Sequence, residues 1–169
     1  VAGIIAMQAN NGIGGTGVAY NAQIMAIKAA QYSGILSATD ISQAIYYAVE
    51  KGADVINMSY GGYNNSQIEE DALAVAFGQA VLVAAAGNDG IPNEGACLGA
   101  PMYPAAHNWI IGVMARTTSG GLAGFSNKEC IPHNRFEYEI ILPGVDIMST
   151  LPGDQYAAWD GTSMAAPVA

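Results

Sequence analysis

The sequence predicts an α/β fold with a mainly parallel sheet flanked by helices. Strand-like and helix-like segments alternate with short turns between them, which favours right-handed crossovers between parallel strands. One apolar run, Val81 to Ala86, is continuous rather than alternating, as expected for a strand buried on both faces. Hydrophobic residues make up 51% of the 169 and charged residues 11%, a balance that excludes intrinsic disorder.

In chain order, Ala22–Lys28 reads as a short buried strand. Asp40–Lys51 reads as an amphipathic helix, with Ile41, Ala44, Ile45, Ala48 and Val49 on one stripe, Asp40 as N-cap and Gly52 as C-cap. Asp54–Ser59 is a strand that runs into Gly61 and Gly62. Ser66–Phe77 is a second helix, where Ser66 and Glu69 have capping-box spacing. Val81–Ala86 ends at Gly87-Asn88-Asp89-Gly90, and Trp109–Ala115 and Tyr138–Leu142 are two further strands. In a parallel sheet the ligand site lies beyond the carboxyl ends of the strands, which directs attention to the turns after Met58 and Ala86.

Other features bound the function. Fourteen acidic against five basic residues give a net charge of −9, and the basic ones are scattered, so no cationic stripe for nucleic acid is present. The longest uncharged stretch, Ala72–Gly87, is too short to span a bilayer, so no membrane segment is expected. Cys97 and Cys130 allow one disulfide, and their spacing alone leaves open whether they pair. The chain starts abruptly at Val1 and stops inside the apolar Met164–Ala169, so both ends read as cut.

Three short stretches carry chemistry. In Gly161-Thr162-Ser163-Met164-Ala165-Ala166-Pro167, Ser163 could sit at a helix start where unpaired N–H groups face whatever it attacks, or could be an ordinary N-cap. In Ala85-Ala86-Gly87-Asn88, the Asn88 amide could donate to an oxyanion, or could simply stabilise a turn. In Val55 to Gly62, the glycines could let an extended peptide pair with the strand end, or could mark a plain strand-to-loop transition.

Together and in this order the three stretches resemble the subtilisin-like serine proteases. Val1–Ala6 matches the helix that follows the family's His-Gly-Thr segment, Asn11–Gly14 and Gly17–Ala19 the loop after it, and Tyr103–Ala105 and Leu142–Val145 two further family positions. The resemblance covers the whole chain. It implies a three-layer α/β domain truncated on its N-terminal side, with residues 1–169 running from just after the catalytic histidine to just after the catalytic serine. It implies a serine endopeptidase that works through an acyl-enzyme on Ser163, with Asn88 as oxyanion donor. Ser59, Tyr60, Gly61 and Gly62 would pair with substrate, while Ala85, Ala86 and Gly87 would wall a roomy, mainly apolar pocket. Met164 would be an oxidation-sensitive neighbour of the nucleophile.

The resemblance also places the catalytic Asp and His upstream of Val1. His107 and His133 both read as loop residues and not as the base, so this stretch alone is expected to be inactive. It implies no cofactor for the chemistry, although calcium could bind as a structural ion at Gln8, Asn11, Ile13 and Gly15, a stretch that also reads as a glycine-rich turn. The expected partners are polypeptide substrates and the missing N-terminal part of the same domain, and the expected location is extracellular. A relative that kept the fold as a non-catalytic binding or regulatory module is the alternative.

Overall fold

Four consecutive strands build one parallel sheet in the order β1-β2-β3-β4. The computed structural model describes residues 1–90, 101–128 and 138–169. Within them, β1 is Val55–Met58, β2 Val81–Ala85, β3 Ile111–Arg116 and β4 Ile140–Pro143. Register runs Asn57 to Val83, Ala84 to Gly112 and Ala115 to Leu142 across successive strands.

Helices α2 (Ala38–Glu50) and α3 (Gln67–Phe77) cover one face, and the short α4 (Thr162–Ala165) with a 3₁₀ turn at Ala166–Val168 lies against the other. The period of two on β2 explains the layering. Leu82 and Ala84, with Ala86 just beyond the strand, join Ile41, Ile45 and Leu73 in one core, while Val83 and Ala85 join Val113, Ala115, Ala165 and Ala166 in the other. The expected strand buried on both faces is therefore present. The α1 segment (Ala2–Ala6) contacts a two-stranded antiparallel ribbon, β5 (Ile147–Leu151) and β6 (Gln155–Trp159), that the sequence reading missed.

Several expectations need correction. Ala22–Lys28 forms no strand: its residues are exposed, with Ile24, Met25 and Ile27 at 45%, 41% and 36%. An apolar run becomes a strand only when another strand accepts its backbone hydrogen bonds, and none does so among the described residues. Helix α2 starts earlier than expected. Ser37, not Asp40, is its N-cap and accepts from the Asp40 N–H at 3.1 Å, while the Ser37 hydroxyl donates to the Asp40 carboxylate. That contact, with a second from Gln31, holds the Asp40 pKa below its ordinary value. At the other end Gly52 sits one residue past the cap at φ +75°, with the Gly52 N–H on Val49 O and the Ala53 N–H on Ala48 O. This is the paired Schellman arrangement, which needs the left-handed backbone that glycine allows. Ser66 does cap α3 but makes no side-chain cap hydrogen bond, and Glu69 faces the Tyr60 hydroxyl.

His107 is 8% exposed and lies between the Tyr103 and Trp109 rings, at centroid distances of 4.9 and 5.2 Å. Burial lowers its pKa, partly offset by Glu70. The neutral ring is thus favoured by folding, while the unfolded chain takes up its proton near the ordinary value of about 6.5. Stability is expected to be full above that pH and to fall as pH drops below it. Thermal unfolding of the full-length protein across this range should show the decline, and His107→Gln should flatten it. An unchanged slope in His107→Gln would assign the proton uptake to another group.

Candidate active site

The carboxyl ends of β1 and β2 bring the three chemistry-bearing stretches together, with α4 seated across them. Ser163 is half-buried in the first turn of α4. Its hydroxyl donates to the Ser59 carbonyl at 3.2 Å, and the Ser59 hydroxyl donates to the Ser163 carbonyl at 3.1 Å. Behind them the Asn57 amide donates to the Ser59 hydroxyl at 2.9 Å. These contacts fix the end of β1 to the serine turn, 104 residues apart in sequence.

Gly161 enters α4 at φ +154°, a backbone conformation that side chains other than glycine rarely adopt. At the start of a helix the first N–H groups have no partner within the helix, and Thr162 and Ser163 hold those positions in α4.

Asn88 lies just past β2 and is exposed. Its side-chain oxygen accepts from the Thr162 N–H at 2.8 Å and from the Thr162 hydroxyl at 2.9 Å. Both lone pairs of that oxygen are therefore engaged, and the amide NH₂ is left to donate. Thr162 is completely buried, and its hydroxyl also accepts from the Gly87 N–H at 3.1 Å. One threonine thus ties the turn after β2 to the serine turn.

The three residues expected to wall a pocket differ in exposure. Ala85 and Ala86 are 3% and 0% exposed, and their methyl groups belong to the two cores on opposite faces of the sheet. Gly87 is half-buried at φ +103°, and a Cβ there would lie 2.4 Å from the Asn127 amide nitrogen and 2.6 Å from Met102 Cε. The positive φ and these close side-chain ends together favour glycine here.

The strand end also differs from residue to residue. Gly62 pairs with Tyr103 as an antiparallel bridge, with reciprocal N–H to carbonyl bonds of 2.9 and 2.8 Å. Gly61 packs so close to Met102 that an added Cβ would be 2.9 Å from its sulfur. Tyr60 is half-buried, and burial together with the Glu69 carboxyl drives its pKa far up, while burial raises that of Glu69.

His107 sits in its aromatic stack and makes no contact with Ser163 among the described residues. His133, Cys97 and Cys130 lie outside the described residues. In the Gln8–Gly15 loop, the Asn11 side-chain oxygen accepts from the Ile13 N–H at 3.0 Å, and the Gly15 N–H points at the Met7 sulfur. Calcium takes six to eight oxygens, usually with carboxylates among them. This loop offers four neutral candidates, one already engaged, so on its own it falls short of a calcium site.

Sequence reasoning singled out Ser163 and Asn88, which the structure brings together, but not the roles of Asn57, Thr162 and Asn127 beside them. Asn57 had a usable signal, since it is a polar residue inside an otherwise apolar strand. Thr162 stood within the serine stretch. Asn127 had none.

Comparisons with known proteins give the family and the fold. The model of the subtilase family matches residues 1–169. The chain is 39% identical over 168 residues to the thermophilic serine proteinase of Bacillus sp. (strain AK1), covering 99% of this chain and 39% of that protein. It is also 39% identical to subtilisin E of Bacillus subtilis (strain 168), again over 99% of this chain and 42% of the relative. Among solved structures, S41 psychrophilic protease superposes with a TM-score of 0.88 at 30% identity, covering 99% of this chain and 58% of that one. The chain spans about two fifths of the length of these two curated relatives. A family match over every residue, with the sheet and flanking helices shared by the solved relative, places this chain in the subtilase family.

Proposed function

We propose that this chain is part of the peptidase domain of a serine endopeptidase that cleaves polypeptides through an acyl-enzyme. The observation that carries the reading is the state of Asn88: Thr162 occupies its oxygen twice, so its NH₂ remains as donor on the turn that Thr162 joins to Ser163. In the proposed reaction the Ser163 hydroxyl oxygen attacks the substrate carbonyl carbon, and its proton passes to a histidine. The carbonyl oxygen becomes an oxyanion that accepts from Asn88 Nδ2 and the Ser163 N–H. The C–N bond then breaks, the amine departs with the proton, and water hydrolyses the acyl ester.

The histidine and its aspartate partner would come from residues before Val1, as the family resemblance assigns them. Residues 1–169 would then be one segment of a single domain. Ser59–Gly62 would bind the substrate backbone along the edge not tied to Tyr103, and the Ala85-Ala86-Gly87 segment would wall the primary pocket. Secretion is proposed as well; one relative, at 39% identity, is named minor extracellular protease Epr of Bacillus subtilis (strain 168). Calcium as a structural ion at Gln8, Asn11, Ile13 and Gly15 rests on the resemblance, and no catalytic step depends on it.

The test is covalent labelling of the full-length protein with a fluorophosphonate, followed by mapping of the adduct. Stoichiometric modification within Gly161–Pro167 is expected. A protein that is folded yet refuses the reagent would instead be a non-catalytic member of the family.

A further inference from the structure

Asn88 is exposed, yet the peptide units on both sides of it are fixed, and both are fixed by one residue. The Asn127 N–H donates to the Gly87 carbonyl at 2.9 Å, and the Asp89 N–H donates to the Asn127 side-chain oxygen at 3.1 Å. Residue 88 is bracketed between these two bonds. The remaining polar group of the side chain, Asn127 Nδ2, donates to the Tyr63 hydroxyl at 3.3 Å, and that hydroxyl donates to the Asp89 carboxylate at 2.5 Å. The ring of contacts therefore closes on Asp89 from a third direction, the loop after β1.

Asn127 is itself immobilised. It is 4% exposed, and its carbonyl accepts from the Ser126 hydroxyl at 2.9 Å. That hydroxyl in turn accepts from the Ala115 N–H of β3 at 3.0 Å. The absence of a side chain at Gly87 is what lets the Asn127 amide approach, since it occupies the space a Cβ would contact at 2.4 Å. A continuous hydrogen-bonded support thus runs from the central sheet through Ser126 and Asn127 to both neighbours of Asn88.

We infer that Asn127 is a positioning residue for the oxyanion donor, with Tyr63 as its brace. The inference rests on the catalytic reading given above. Asn127 touches no reacting atom. It holds the residue 87–89 backbone so that Asn88 Nδ2 meets the oxyanion at hydrogen-bond distance, and displacements near 1 Å in such groups can cost about 10²-fold in rate.

The test is a double-mutant cycle in the full-length enzyme. Asn127→Ala is expected to lower kcat about tenfold or more with KM nearly unchanged, because only transition-state stabilisation is lost. In an Asn88→Ala background the same substitution is expected to change kcat by less than twofold, since there is no donor left to position. Tyr63→Phe removes one hydroxyl from a partly exposed side chain and guards against misfolding of the Asn127 variant. It is expected to lower kcat about threefold, and this effect should also vanish with Asn88→Ala. Full additivity on the Asn88→Ala background, or a rise in KM with kcat unchanged, overturns the inference. A protein whose turnover depends on Ser163 and Asn88 but is indifferent to Asn127 and Tyr63 overturns the positioning role alone. A protein with no Ser163-dependent turnover overturns the catalytic reading beneath it.

Discussion

Ser163→Ala in the full-length protein is expected to abolish peptide hydrolysis and fluorophosphonate labelling while leaving the fold intact. The substitution removes the proposed attacking oxygen, and the other hydroxyl of the α4 turn, that of Thr162, is buried and bonded to Asn88 and the Gly87 N–H. The Ser59 hydroxyl, across from Ser163, is already bonded to Asn57 and to the Ser163 carbonyl. The structural cost is small. Ser163 is half-buried, and its side chain makes one hydrogen bond, to Ser59 O at 3.2 Å. Losing one such bond costs about 1 kcal/mol, and alanine suits a helical turn better than serine. Loss of the nucleophile in subtilisin, the reference case, lowers kcat by about 2 × 10⁶, and a fall of that order is expected here. Turnover within tenfold of the parent would move the nucleophile elsewhere. The unfolding midpoint should stay within a few degrees, which separates loss of chemistry from loss of structure.

What the sequence made legible follows from how local each signal is. The α2 stripe of Ile41, Ile45, Ala48 and Val49 repeats at helical spacing, and the Val81–Ala86 run has the composition of a strand covered on both faces. Each is written in adjacent residues, and each is present. Ala22–Lys28 has the same kind of composition, but a parallel strand exists only through a partner far away in sequence, and that partner is not in local spacing. The β5–β6 ribbon was missed for a related reason. Its strands are half-exposed and mixed in polarity, and the turn residues Gly153 and Asp154, both at positive φ, were the available sign.

The same division holds at the site. Ser163 and Asn88 sit in compact motifs, so residue type and order suffice to single them out as candidates. The support of Asn88 does not: Thr162 reaches it across 74 residues, and Asn127 reaches Asp89 across 38. Ala85 and Ala86 show what a motif leaves unsaid about side-chain direction: period-two alternation sends their methyl groups into the two cores, while Gly87 is half open to solvent.

Asn88→Ala or Asn88→Leu is expected to lower kcat by about 10²–10³ with KM little changed, a loss of about 2.7–4 kcal/mol of transition-state stabilisation in the corresponding subtilisin case. The reasoning depends on which end of the amide is free. With the oxygen held by the Thr162 N–H and hydroxyl, the NH₂ has a fixed direction before substrate arrives, so no reorganisation is needed when charge develops. A neutral carbonyl accepts weakly from such a donor, and an oxyanion accepts strongly, so the interaction is made mainly in the transition state. Removal should therefore be felt in kcat and in kcat/KM alike, with substrate binding along Ser59–Gly62 preserved. Leucine keeps the branched outline of asparagine without its amide, so Asn88→Leu removes the donor while leaving the site filled. Asn88→Asp sharpens the test, because a carboxylate there would accept from Thr162 equally well yet oppose the oxyanion; it is expected to be at least as impaired as Asn88→Ala. Steady-state kinetics with one peptide substrate across the three variants checks the set. A variant whose KM rises while kcat holds would assign Asn88 to ground-state binding, and the donor would then have to be sought among the backbone N–H groups of α4.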